Sequence, residues 1–84
     1  MAYSLNFSRQ ALKDLEKITE PYYSNIKLAI SNLTANPRPP GCKKLKGRDG
    51  YRIRVADYRI IYNIFDTELI VDIITLGHRK DIYE

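Results

Sequence analysis

Three stretches of the chain alternate apolar and polar residues with period two, and two others repeat apolar residues at helical spacing. Tyr3, Leu5 and Phe7 alternate with Ser4 and Asn6 and predict a first strand. Ser8 then precedes residues 9–18, where Ala11, Leu12, Leu15 and Ile18 fall on one stripe of a helix. A serine hydroxyl can accept one of the backbone N–H groups that a helix start leaves over, so Ser8 is the expected N-cap. After Thr19-Glu20, Pro21 stands at an expected first helical residue, where its missing N–H costs nothing. Tyr22, Ile26, Ala29, Ile30 and Leu33 continue as a second stripe, and the short break between the two predicts an antiparallel helical hairpin.

Pro37, Pro39, Pro40 and Gly41 end that helix and form a loop rather than a linker, because too little chain lies on either side for separate domains. The period then changes to two. Tyr51, Ile53 and Val55 alternate with Arg52 and Arg54, and Tyr58, Ile60, Tyr62 and Ile64 alternate with Arg59, Ile61, Asn63 and Phe65. Asp66-Thr67-Glu68 reads as a turn. The run from Leu69 to Leu76 is apolar on both parities apart from Asp72 and Thr75, which predicts an interior strand covered on both faces. The order β-α-α-β-β-β predicts an α+β fold: an N-terminal strand and a two-helix hairpin packed on one face of a small, mainly antiparallel sheet. With 84 residues the chain is expected to form one domain, residues 1–84. A domain of this size buries only roughly 60–65% of the surface its unfolded chain exposes, so a partner that covered more apolar area would add to a modest stability.

Composition removes several classes of function. Cys42 is the only cysteine, which excludes an intrachain disulfide, and one cysteine with one histidine falls far short of a zinc set. Cys42 has basic neighbours but no histidine near it in sequence, so it is a weak candidate nucleophile. The four glycines (Gly41, Gly47, Gly50, Gly77) are scattered in turns and make no phosphate-cradling loop. No cofactor and no metal are expected. The start of the chain has neither a basic segment nor an apolar one, and no apolar run approaches the ~20 residues of a membrane span, so a cytoplasmic protein with no membrane association is expected.

Net charge is +4, but its distribution is more informative. From Arg38 to Arg59 eight basic groups face only Asp49 and Asp57, a surplus of six, while the first 37 residues are nearly neutral. Such concentration is the footprint of a protein that binds a polyanion, or of a basic face that serves solubility. If Ala56-Asp57 is a two-residue turn, Val55 lies opposite Tyr58, Arg54 opposite Arg59 and Ile53 opposite Ile60. Arg52, Arg54 and Arg59 then share one face and the tyrosines and β-branched residues the other. Like charges directly opposite are unfavourable unless an anion sits between them, and the guanidinium fork matches phosphate oxygens. The alternative is that the arginines fan into solvent or pair with carboxylates. Gly77-His78-Arg79-Lys80-Asp81-Ile82-Tyr83 leaves the last strand beside this sheet and adds an imidazole, a guanidinium and a phenol. A lone histidine in a polar tail is more often solvated than functional, and Tyr83 could equally anchor the chain end. Lys43, Lys44, Lys46 and Arg48 are further RNA-binding candidates.

Taken in order, these pieces resemble one family over nearly the whole chain. Tyr3-Ser4-Leu5-Asn6-Phe7-Ser8 with Ala11-Leu12-Lys13-Asp14-Leu15, then Leu45-Lys46-Gly47, Tyr51-Arg52-Ile53-Arg54-Val55, Asp57-Tyr58-Arg59-Ile60-Ile61-Tyr62 and the closing Gly77 to Tyr83 are similar to the RelE/ParE toxin superfamily. The resemblance implies a toxin held inactive by a cognate antitoxin and acting, with the ribosome as partner, as an endoribonuclease. Translated mRNA would be cut in the A site by attack of a 2′-hydroxyl on the adjacent phosphate. It further implies that Arg52 and Arg54 occupy two basic strand positions, that Arg59 neutralises phosphate charge, that Arg79 is a C-terminal catalytic arginine and that Tyr83 stacks on a base. The best-known RelE pattern has lysines where this chain has Arg52 and Arg54. A guanidinium is a poor proton acceptor, which makes His78 the candidate for proton transfer. ParE-type members of the same superfamily inhibit DNA gyrase. A non-catalytic RNA-binding module is a further alternative, although two Phe and no Trp leave few rings for stacking on bases.

Overall fold

The computed structural model describes residues 2–78, so Arg79 and Tyr83 lie outside the described residues. The elements are β1 (Ser4–Phe7), α1 (Arg9–Glu16), α2 (Tyr22–Asn32), β2 (Lys43–Lys44), β3 (Tyr51–Val55), β4 (Tyr58–Phe65) and β5 (Ile70–His78). The expected strand-helix-helix-strand-strand-strand order is present, with β2 as a two-residue addition that pairs with the start of β3. The five strands form one mixed sheet in the order β1-β5-β4-β3-β2. β1 runs parallel to β5 and every other pair is antiparallel. β5 is therefore an interior strand, as its two-sided apolar pattern predicts, and Val71, Ile73 and Leu76 are buried.

Ser8 is the N-cap of α1, its hydroxyl accepting from the Ala11 N–H at 3.0 Å. Ala11, Ile18, Ile26, Ile30 and Leu33 from the helical hairpin pack onto Ile53, Ile60, Tyr62, Ile64, Val71 and Ile73 on one face of the sheet. Each of the isoleucine, leucine and valine side chains among them contributes roughly 1.5–3 kcal/mol by leaving water. The expected helical stripes are correct except at two positions: Leu12 is 51% and Tyr22 42% exposed. Ala11 and Leu15 of α1, with Ile18 just past its end, pack toward the sheet, and Leu12 stands about 100° round the helix from Ala11. Tyr22 is the first residue of α2 and lies against Tyr58 at the margin of the core, ring centroids 5.4 Å apart. Among the described residues no helix is long and apolar enough to cross a membrane.

Candidate active site

The site is built on the hairpin of β3 and β4. Ala56-Asp57 forms the two-residue turn, Ala56 taking φ +53°, and the register pairs Val55 with Tyr58, Arg54 with Arg59, Ile53 with Ile60, Arg52 with Ile61 and Tyr51 with Tyr62. Side chains of directly opposed residues share a face. Tyr51, Ile53, Val55, Tyr58, Ile60 and Tyr62 thus face the helices, and Arg52, Arg54 and Arg59 the other side. β2 extends this arrangement, because Lys43 pairs with Arg52 and so joins the arginines. The face is not uniformly open to solvent: Arg54 is exposed, Arg59 half-buried and Arg52 only 8% exposed. Gly41, Lys43, Arg52 and Arg54 line a small cavity of about 170 Å³.

Two sequence-based expectations need correction here. Lys44 pairs with Tyr51, and its ammonium stands 5.3 Å from the Tyr51 ring centroid, on the face away from the arginines. Alternation along a strand separates the neighbours Lys43 and Lys44, whereas Lys46 and Arg48 are exposed in the connection between β2 and β3. His78 pairs with Tyr58 and meets its ring edge-on, centroids 5.7 Å apart. It therefore lies on the helix side, across the sheet from Arg54 and Arg59. The residue that β5 places beside Arg59 is Gly77. The expectation that His78 exchanges protons within the arginine constellation is not met by this register; a segment read as a tail is still strand at His78, and strand parity decides its face. His78 lines instead a cleft of about 490 Å³ between α1 and the ends of β4 and β5, together with Asp14, Lys17 and Tyr58.

Among the described residues no group of three or more histidine, cysteine, aspartate or glutamate side chains could hold a metal ion. What the face offers chemically is fixed positive charge, suited to a phosphodiester.

Residues 5–83 match the family described as the ParE toxin of the type II toxin–antitoxin system parDE. The mRNA interferase toxin RelE of Escherichia coli K12 is 31% identical over 83 residues, covering 95% of this chain and 86% of that protein. The chain belongs to the RelE/ParE toxin superfamily. It is similar to RelE in the RelE–RelB complex of Pyrococcus horikoshii, with a TM-score of 0.84, 27% identity and coverage of 98% of this chain and 100% of that one. For the intact RelBE toxin–antitoxin complex of E. coli the values are 0.80, 30%, 92% and 96%.

Two features of this RelE-like toxin escape a reading of its sequence. The first concerns the charge count. Arg38, one of the eight basic groups in the central segment, makes a two-pronged ion pair with Asp66 at 3.0 and 3.2 Å and donates to the Tyr51 hydroxyl at 3.3 Å. Tyr3 donates to the same carboxylate at 2.7 Å, and these hydrogen bonds hold the Asp66 carboxyl below its ordinary range. The loop from Pro37 to Cys42 is also anchored by the Tyr62 hydroxyl, which donates to the Pro37 carbonyl at 2.8 Å. Burial, with the Cys42 thiol beside it, pushes the Tyr62 phenol well up from its usual value and keeps it a donor. Arg38 thus fixes the approach to Lys43 and is not part of the arginine face.

The second is the seat of β5. β1 ends at Phe7 opposite Ile73, while β5 continues to His78 through an irregularity in its register with β4 between Ile61 and Tyr62. From there α1 supplies the missing partners. Ser8 N donates to the Ile73 carbonyl, the Ser8 hydroxyl to the Ile74 carbonyl, and the Asp14 carboxylate accepts from Thr75 Oγ1 at 2.7 Å and Leu76 N at 3.1 Å. Nothing in helical periodicity distinguishes Asp14 from a solvated carboxylate; only its place opposite an unpaired strand edge does.

Proposed function

We propose that the chain is a ribosome-dependent mRNA endoribonuclease and that a cognate antitoxin silences it in the cytoplasm. The observation that carries this reading is the strand register, which gathers Lys43, Arg52, Arg54 and Arg59 on one face. A 2′-hydroxyl attacking its neighbouring phosphate passes through a phosphorane with two negative charges, and preorganised cationic donors in a partly desolvated site stabilise such a state by about 3–4 kcal/mol each. The similarity to an mRNA interferase and to toxins solved with RelB antitoxins supports the same assignment. Arg79, Tyr83, Lys46 and Arg48 belong to the proposal as further contacts to RNA, Tyr83 by stacking worth ~1–3 kcal/mol. Fixed cations adapt the site to positioning more than to proton abstraction, so free RNA is a poor substrate and the ribosome completes the geometry.

The test is induced expression followed by primer extension on a translated message. Cuts at fixed codon positions that vanish when initiation is blocked are expected; cuts that persist on untranslated RNA, or no cuts at all, overturn the reading. The match to a ParE family supplies the second reading, inhibition of DNA gyrase, and a supercoiling assay with purified chain decides between them.

A further inference from the structure

β2 is two residues long, and its alternation decides which lysine joins the arginine face: Lys43 pairs with Arg52, and Lys44 with Tyr51. A slip of one residue would exchange them, because each step along a strand changes face, and so short a strand has little of its own to resist it. Past its end the chain is held by Leu45, 4% exposed, whose N–H donates to the Gly50 carbonyl at 3.0 Å. Ahead of it the hold comes from side chains far apart in sequence. Arg38, in the proline loop, grips the Asp66 carboxylate with both prongs of its guanidinium and donates through Nε to the Tyr51 hydroxyl. Tyr3 donates to the same carboxylate. The Arg38 guanidinium lies 5.2 Å from the centre of the Tyr51 ring and the Lys44 ammonium 5.3 Å from it, so two cations share one ring. They repel each other, and the Asp66 carboxylate on Arg38 offsets that repulsion. The ion pair is open to solvent, its side chains 45% and 55% exposed, and pairs of that kind add little to global stability. Its effect is local, at Tyr51, the residue opposite Lys44.

We propose that Asp66 is a positioning residue for cleavage: through Arg38 and Tyr51 it locks the register of β2, and with it the choice of Lys43 over Lys44 for the arginine face. The role rests on the endoribonuclease reading above. Asp66 stands in the connection between β4 and β5 and touches no RNA in this account; it acts by making the Tyr51 ring a seat for Lys44. The same cluster makes Arg38 a structural cation. Its fork and its Nε are already spent on Asp66 and Tyr51, which is why the charge of the central segment overstates what is available to a phosphate. Loss of the Asp66 charge leaves Arg38 and Lys44 to repel across one ring, and the short strand loosens while the core beneath it stays packed.

The experiment compares wild type with Asp66→Asn, Arg38→Gln and the double variant, by single-turnover cleavage on programmed ribosomes at saturating toxin and by amide hydrogen exchange of the free toxin. Asp66→Asn makes the chain more cationic and Arg38→Gln less so, yet both are expected to slow cleavage by about 10²-fold, the usual cost of a small misplacement in a site. The double variant should be no slower than either, since both remove the same lock. The Cys42 and Leu45 amides, which donate to the Pro39 and Gly50 carbonyls, should exchange about fivefold faster or more in each variant, with the amides of β4 and β5 unchanged. If Asp66→Asn cuts at least as fast as wild type while Arg38→Gln is slower, Arg38 is itself a contact to RNA and the proposal falls. It falls also if the β2 amides loosen with no change in rate, or if exchange quickens across the whole sheet, which would make the cluster a prop of global stability. None of these results touches the endoribonuclease reading. A wild-type chain that cuts no message removes that reading and the role of Asp66 with it.

Discussion

At the scale of single residues, the register separates side chains that the sequence sets close together. Arg59 and Tyr58 are neighbours in the chain, yet one points to the arginine face and the other to the helices; the same alternation parts Gly77 from His78 and Lys43 from Lys44. Substitutions should follow the faces. Arg54→Ala removes an exposed guanidinium and should leave the thermal midpoint within about a degree or two, while cleavage on programmed ribosomes falls by about 10²–10³-fold, the usual loss of one well-placed donor. Arg59→Ala should have a comparable effect on cleavage, with a small loss of stability because its stem is half-buried. Full toxicity in both variants would show that the face is not the site. His78→Gln is expected to change the single-turnover rate by no more than a few-fold and to leave its pH profile unaltered, because the imidazole is across the sheet. A profile that loses a limb near neutral pH in this variant would return His78 to the reaction.

At the scale of elements, much of the fold is legible before any coordinates are seen, for identifiable reasons. The turn at Ala56-Asp57 and the strict alternation around it set the β3–β4 register residue by residue, and with it the arginine face. β5 announces its interior position through apolar residues on both parities. The seating of β5 is not legible, because it depends on β1 being shorter than its partner and on α1 lying along the remaining edge, a relation between segments more than 60 residues apart. The same edge gives α1 a second duty besides covering the core, since an uncovered strand edge invites pairing with another chain. Asp14 carries much of it. Burial raises its pKa, but hydrogen bonds from Thr75, the Leu76 N–H and Gln10 outweigh that, and the net shift is downward. A depressed carboxylate contributes stability that is present above its unfolded value of about 3.9 and is lost as pH falls through the lower folded value. Asp14→Ala should therefore cost about 1.5–3 kcal/mol at pH 7, as removal of a charged hydrogen-bond partner does. Denaturant titrations should show the gap to wild type narrowing as pH drops below about 4. A gap that is constant with pH would mean that lost packing, not the charge, is responsible.

At the scale of the whole molecule, a thin core and a concentrated charge point to the same dependence on a partner. The helical hairpin covers one face of the sheet, but Leu28 is 63% exposed on α2, with Leu12 and Phe65 also open to solvent, so part of the apolar surface finds no cover within the described residues. The other face gathers Lys43, Arg52, Arg54 and Arg59, a concentration of positive charge that suits an anion or an acidic segment. An antitoxin that lays an acidic, amphipathic segment over the chain would meet both the apolar and the basic surface, by helix-in-groove or strand-addition contacts. Binding to the folded state alone stabilises it by about 2.7 kcal/mol at a partner concentration a hundredfold above Kd. At roughly 4–8 °C per kcal/mol for a domain of this size, the thermal midpoint should rise by on the order of 10–20 °C. Because the attraction is between opposite charges, the affinity should weaken as salt is raised, and it should do so less steeply for Arg54→Ala, which has one charge fewer on the face. The measurement is a thermal melt of the toxin with a candidate antitoxin, an acidic protein of RelB type, at low and at physiological ionic strength. A midpoint that ignores the partner at both salts would overturn the antitoxin assignment; one that rises by the same amount at both would place the contact on the apolar surface and not on the arginine face.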